Sequence, residues 1–151
     1  MYRNLLLALH IAAVGGWIGA NFVQFVLTPR LGRGTGATVA AWWDSVALLS
    51  KKYYTYLAVI ILVTGILLLV RSSSPYEFSN AFVSLGFLTI IVGGALAGAQ
   101  FGPIARKTSA AATEGDAGAV EAGYKRVAML AVVDTVLVLV TILAMVAKWG
   151  Y

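Results

Sequence analysis

The sequence predicts an all-α protein, a bundle of four transmembrane helices in which the second is extended on the cytoplasmic side. Two observations carry that expectation. Four uncharged runs, Asn4–Thr28, Tyr53–Val70, Phe78–Ala105 and Val127–Ala147, are fenced by charged residues, and only the last holds an acid, Asp134. Each approaches or exceeds the roughly 20 apolar residues that cross a hydrocarbon core about 30 Å thick. The second observation is composition: of 151 residues, 60% are hydrophobic and 11% charged, where soluble domains carry about 25% charged residues. In lipid only helices and closed barrels satisfy their own backbone, and these runs are too long and too evenly apolar for barrel strands. Residues 1–151 read as one domain, with spans at about 4–29, 53–71, 78–105 and 126–148.

The first span follows Arg3 as a signal peptide would, but it is far longer than a signal core of about 7–15 residues and is expected to stay in place. It ends at Thr28-Pro29-Arg30, with Gly32, Gly34 and Gly36 forming a loose turn. From Thr38 to Lys52, the residues Val39, Trp42, Trp43, Val46, Leu49 and Tyr53 recur at helical spacing, which predicts a surface helix running unbroken into span two. The tryptophans there, with Tyr53, Tyr54 and Tyr56, are rings of the kind that anchor at head-group level. Span two stops at Arg71-Ser72-Ser73-Ser74-Pro75, and Ser79 or Asn80 is expected to cap span three. The segment Thr108–Gly123 is small and polar and reads as the most mobile loop, although Ala117–Tyr124 could extend span four.

Small residues crowd spans one and three, at Gly15-Gly16-Gly19-Ala20 and Gly93-Gly94-Ala97-Gly98, where helix backbones can approach closely in lipid. A shift of 74 positions lays Pro29 on Pro103 and Lys51-Lys52 on Lys125-Arg126, the pattern of two parallel hairpins related by duplication.

A net charge of +5 does not mark a nucleic-acid binder here, because the basic residues stand beside membrane ends and form no long run. Arg30, Arg33, Lys51 and Lys52 flank one connection and Arg106, Lys107, Lys125 and Arg126 another, against Arg3, Arg71 and Lys148 on the opposite side. The positive-inside rule then predicts a multi-pass protein of the inner (plasma) membrane, with both termini external and loops 30–52 and 106–126 cytoplasmic. The absence of cysteine excludes disulfides, thiolate metal sites and thiol chemistry.

Polar groups inside the spans are the candidates for function. The only histidine, His10, shares a face of span one with Trp17, Asn21 and Thr28, with Gln24 close to that face, and such a stripe should point into the bundle. Asp134 is the costliest side chain, at roughly 2.5–3.5 kcal/mol for an aspartate at a helix centre. Counting rise per residue places Asn21 level with it. The expected intramembrane polar cluster is Asp134, Asn21 and Gln24, with Gln100 and Tyr56 as contributors. His10 lies at a separate, outer level, too far for a direct bond to Asp134, while Met145 falls near its height. His10 can serve as a ligand to a metal or haem iron, as a proton shuttle, or as a structural bond to a neighbouring helix.

The run Leu9-His10-Ile11-Ala12-Ala13-Val14-Gly15-Gly16-Trp17-Ile18-Gly19, followed by Pro29-Arg30-Leu31, resembles the opening helix of the copper-resistance-D-like (CopD-like) membrane proteins. It is also similar to the HemJ-type protoporphyrinogen oxidases, in which a histidine and a tryptophan seven positions later precede a Pro-Arg pair. Both resemblances imply a small helical bundle, and the second implies haem b with His10 as an axial ligand; beyond Met1, Met129 and Met145 are the other soft candidates, and Met145 is the one about level with His10. The expected function is a non-catalytic binding or accessory component in the bilayer that associates with itself or with a membrane-protein partner. The alternatives are a haem b protein and a proton-linked transport component using Asp134.

Overall fold

The computed structural model describes residues 2–70 and 76–151. The serine-rich turn expected at 71–75, and the last residue of the expected span two, lie outside the described residues. Among the described residues there are six α-helices: α1 (Tyr2–Leu31), α2 (Ala37–Leu48), α3 (Tyr54–Val70), α4 (Ala81–Ala95), α5 (Gly102–Glu114) and α6 (Ala117–Ala147). Two π-helical turns, Leu49–Tyr53 and Leu96–Phe101, join α2 to α3 and α4 to α5. The result is four continuous helices, Tyr2–Leu31, Ala37–Val70, Ala81–Glu114 and Ala117–Ala147, each long and apolar enough to cross a membrane. The architecture is an all-α four-helix bundle.

Local chemistry sets the breaks. Past α1, Gly36 adopts φ 103°, a left-handed value that glycine tolerates, and donates its N–H to Ala112 O at 2.9 Å. Gly115, at φ 82°, closes α5 in the left-handed conformation, and the Asp116 carboxylate accepts from Ala119 N at 2.9 Å to cap α6. Pro103 sits in the first turn of α5, where a proline withholds a donor and crowds the carbonyl four residues back; the helix widens into its π turn just before it. Asn80 precedes α4 but does not cap it with its side chain, which accepts from Glu77 N at 2.7 Å and donates to Gly150 O at 3.1 Å.

The spanning helices pack in chain order around a ring: α1 on α3, α3 on α4, α4 on α6, and α6 back on α1. Consecutive helices are neighbours, as short connections require. At the end away from the termini, α2 packs on α5 and α5 on α6 around Trp43, Val46, Ala105, Ala112 and Val120, with Trp43 and Val120 at 0% exposure. A helix of 34 residues is about 51 Å long at 1.5 Å per residue, against about 30 Å of hydrocarbon. The second and third helices therefore extend beyond the apolar slab, and this second core is where they meet.

Three expectations need correction. The loop expected at Thr108–Gly123 is almost wholly helical, reduced to Gly115 and Asp116, because its alanines and Ser109 pack on α2; Ser109 Oγ donates to Ala40 O at 3.2 Å. Trp43 is not a head-group anchor: it is fully buried and its Nε1 donates to Gly32 O at 2.9 Å. The π turns lie in the second and third helices, whereas a 74-residue repeat would pair the second with the fourth, so they do not occupy equivalent positions. The small residues divide by face. Gly16 and Gly93 look inward, whereas a Cβ on Gly15, Gly19, Gly94 or Gly98 would meet nothing within 4 Å.

Candidate functional site

Two polar levels lie inside the bundle. At the inner one, Asp134 of α6 is 4% exposed and Asn21 of α1 is 6% exposed. Asp134 Oδ2 accepts from Trp17 Nε1 at 3.0 Å and from Asn21 Nδ2 at 2.9 Å, and the same amide nitrogen lies 3.0 Å from Thr135 Oγ1. Asn21 Oδ1 accepts from the Tyr54 hydroxyl at 2.7 Å, and Gln24 Nε2 donates to that hydroxyl at 2.7 Å. The Trp17 and Tyr54 rings meet edge-on with centroids 5.1 Å apart. Gly93 makes room for this packing, since a Cβ there would fall 2.9 Å from the Trp17 ring and 3.1 Å from Asp134 Oδ1.

The inner level thus brings together Asp134, Asn21 and Gln24. Gln100 and Tyr56 fall outside it. Gln100 Oε1 accepts from Arg126 Nη2 at 3.2 Å, nearer the basic end, and Tyr56 is 67% exposed on the outward face of α3. Height along the membrane normal placed Tyr56 in the right leaflet, but two positions from Tyr54 a helix has turned about 200°, so the two rings face opposite ways. Tyr54, Trp17 and Thr135 complete the network. For Tyr54 the legible signal was its spacing of seven from Ile61 and ten from Thr64, the other buried positions of α3.

At the outer level, His10 Nδ1 lies 2.9 Å from Thr64 Oγ1, whose hydroxyl hydrogen is directed at the Ile60 carbonyl. Because Thr64 spends its hydrogen on its own helix, its oxygen is left to accept. With the Thr64 hydrogen so placed, the tautomer of His10 that completes the pair is the one protonated at Nδ1. His10, Ile61, Gly65, Gly86, Phe87 and Met145 line a largely apolar cavity of about 360 Å³ between α1, α3, α4 and the end of α6. Arg3 and Lys148 stand at its rim, and a hydrogen bond to Tyr76 raises the Lys148 ammonium above its ordinary range. A second, narrower space of about 40 Å³ continues inward past His10 and Met145 toward Thr89 and Thr141, whose hydroxyls bond each other.

No family model, curated protein or solved structure matches this chain. Its chemistry is therefore argued from the two levels themselves. Among the described residues no group of three or more His, Cys, Asp or Glu side chains gathers to hold a metal ion. What the outer level offers is one imidazole in a largely apolar chamber, with a thioether in the same wall. The inner level offers a buried carboxyl group held by an indole and an amide.

Proposed function

We propose that this chain is a non-catalytic binding component of the inner (plasma) membrane, of the copper-resistance-D-like type, which receives an apolar ligand in the His10 cavity. One observation carries the reading: a cavity of about 360 Å³ has largely apolar walls with His10 set in them, and Arg3, Tyr76 and Lys148 at its outer rim. Ligand sites have this character, a mostly hydrophobic lining with few polar groups to fix orientation. The basic residues around Arg30, Arg106 and Arg126 support an orientation with the α2–α5 end in the cytoplasm and the termini outside. Native mass spectrometry of protein released from membranes in mild detergent tests the reading. The wild type should retain a bound apolar molecule that His10→Ala loses; a ligand-free wild type overturns it.

A second reading, a haem b protein, is favoured by the contact between His10 and Thr64. A metal-bound histidine typically gives its other ring N–H to an acceptor, and Thr64 Oγ1 stands 2.9 Å from Nδ1 in the place of that acceptor. The residues fit one axial ligand, His10 Nε2, with Met145 as the soft side chain in the same wall. Bound haem would supply one-electron chemistry. The chain's part would be to hold the iron ligand in one orientation and to keep water from it. Protein produced with ample haem should then show a Soret band that His10→Ala abolishes; no band in the wild type removes this reading.

A further inference from the structure

The inner level contains an atom that the His10 cavity does not explain. Asp134 Oδ2 accepts two hydrogen bonds, whereas Oδ1, equally buried, has no partner among the described residues. A buried polar atom left in this state requires a partner. It borders a cavity of about 30 Å³ lined also by Gln24, Ser50, Tyr54, Gly93 and Ala97, larger than the roughly 10–15 Å³ that a single water needs.

The polarity of this cavity is one-sided. The Tyr54 hydroxyl gives its hydrogen to Asn21, the Gln24 amide gives one to Tyr54, and the Ser50 hydroxyl gives its own to Val46 O at 3.0 Å. Apart from the second Gln24 N–H these donors are committed, and the other uncommitted groups are oxygens: Asp134 Oδ1, the Gln24 amide oxygen and the Ser50 lone pairs. Both π turns border the space, the first through Ser50 and the second through Ala97 and Phe101. Such turns displace carbonyls from regular helical pairing and recur at functional sites. The ion pairs among the described residues, Arg33–Glu121 and Lys125–Glu121, lie elsewhere, and Arg126 turns to Gln100. An intramembrane carboxylate faced by acceptor oxygens, with no basic side chain beside it, lacks a positive charge.

We propose that this cavity binds one small monovalent cation at Asp134 Oδ1, either Na⁺ or a proton that the carboxylate itself takes up. The lone carboxylate argues against a divalent ion, which would draw on several. Only Tyr54 among the residues facing Asp134 titrates: α1 presents Trp17, Asn21 and Gln24, α4 and the second π turn present Gly93, Ala97 and Phe101, and α6 presents Ala131 and Thr135. This site is separate from the His10 cavity and stands whether or not that cavity holds a ligand.

The test uses the full chain in detergent, in choline buffers free of sodium. Thermal unfolding is followed as NaCl replaces choline chloride at constant ionic strength, beside infrared difference spectra of wild type against Asp134→Asn. Sodium binding predicts a midpoint that rises with NaCl and a response lost in Asp134→Asn. Proton binding predicts no sodium response, but a carbonyl band of a protonated carboxyl group that shifts in heavy water and is absent from Asp134→Asn. If Asp134→Asn does not fold, Gln24→Leu, which leaves both donors to Asp134 in place, must weaken the sodium response or move the band. A wild type with neither the response nor the band overturns the proposal.

Discussion

Trp17 Nε1 donates to Asp134 Oδ2 at 3.0 Å across 117 positions of chain, joining the first helix to the last. Asn21, one helical turn further along α1, makes the second bond to the same oxygen while accepting from Tyr54 of α3. One amide thereby connects three of the four spanning helices. In lipid, where burial of apolar surface does not drive helices together, such bonds and close packing decide how they associate.

Removing that amide should therefore cost more than removing the indole donor. Asn21→Ala strips Asp134 of one donor and leaves the Tyr54 hydroxyl without its acceptor, an expected loss of about 2–3 kcal/mol. Trp17→Phe keeps a ring against Tyr54 and loses one bond, at about 1 kcal/mol. Unfolding midpoints in detergent should fall in that order, and the reverse order would contradict the network.

Two adjacent glycines give a sharper contrast. Gly93→Ala drives a methyl to 2.9 Å from the Trp17 ring and should lower the midpoint, whereas at Gly94 nothing lies within 4 Å. Gly94→Ala should be neutral or stabilising by up to about 1 kcal/mol through helix propensity. Both are read in the same unfolding assay.

The core beyond the apolar slab hangs on Trp43. Truncation to alanine removes a side chain with 0% exposure and should cost about 3–5 kcal/mol. Trp42→Ala should cost less, since that ring is only partly buried and its Nε1 makes no hydrogen bond among the described residues. Proteolysis between α5 and α6 should accelerate in the Trp43 variant and little in the other.

Orientation can be read directly because the chain has no cysteine. Ser79→Cys should react with an impermeant maleimide added outside intact cells, and Glu114→Cys only after the membrane is opened. The opposite pattern would invert the proposed topology.

Outward glycines bear on association. Gly19→Leu and Gly98→Leu change faces that touch nothing within the chain. Each should reduce the oligomer fraction in cross-linking while leaving the unfolding midpoint nearly unchanged, if those faces meet a second copy.

Charge and hydropathy along the chain were enough to recognise four spanning helices, because the bilayer imposes length and polarity that few other environments demand. Helical angle and rise were also enough to place Asn21 level with Asp134, with Gln24 lower in the same leaflet. What they could not supply was azimuth between helices: Tyr56 was chosen by depth alone, and Tyr54 was taken for a head-group anchor although it is 7% exposed. The face assigned to Leu49 and Tyr53 passes instead to Ser50 and Tyr54, because a π turn changes the phase of everything after it and has no residue signature of its own. The alanine-rich segment before Glu114 looked like a loop since its apolar partner, α2, is distant in sequence.

The second and third helices run through their π turns without a linker, so α2 and α5 continue the same two rods that border Asp134. A partner docked at Trp43's end of the molecule would therefore hold helices that reach the buried carboxyl group.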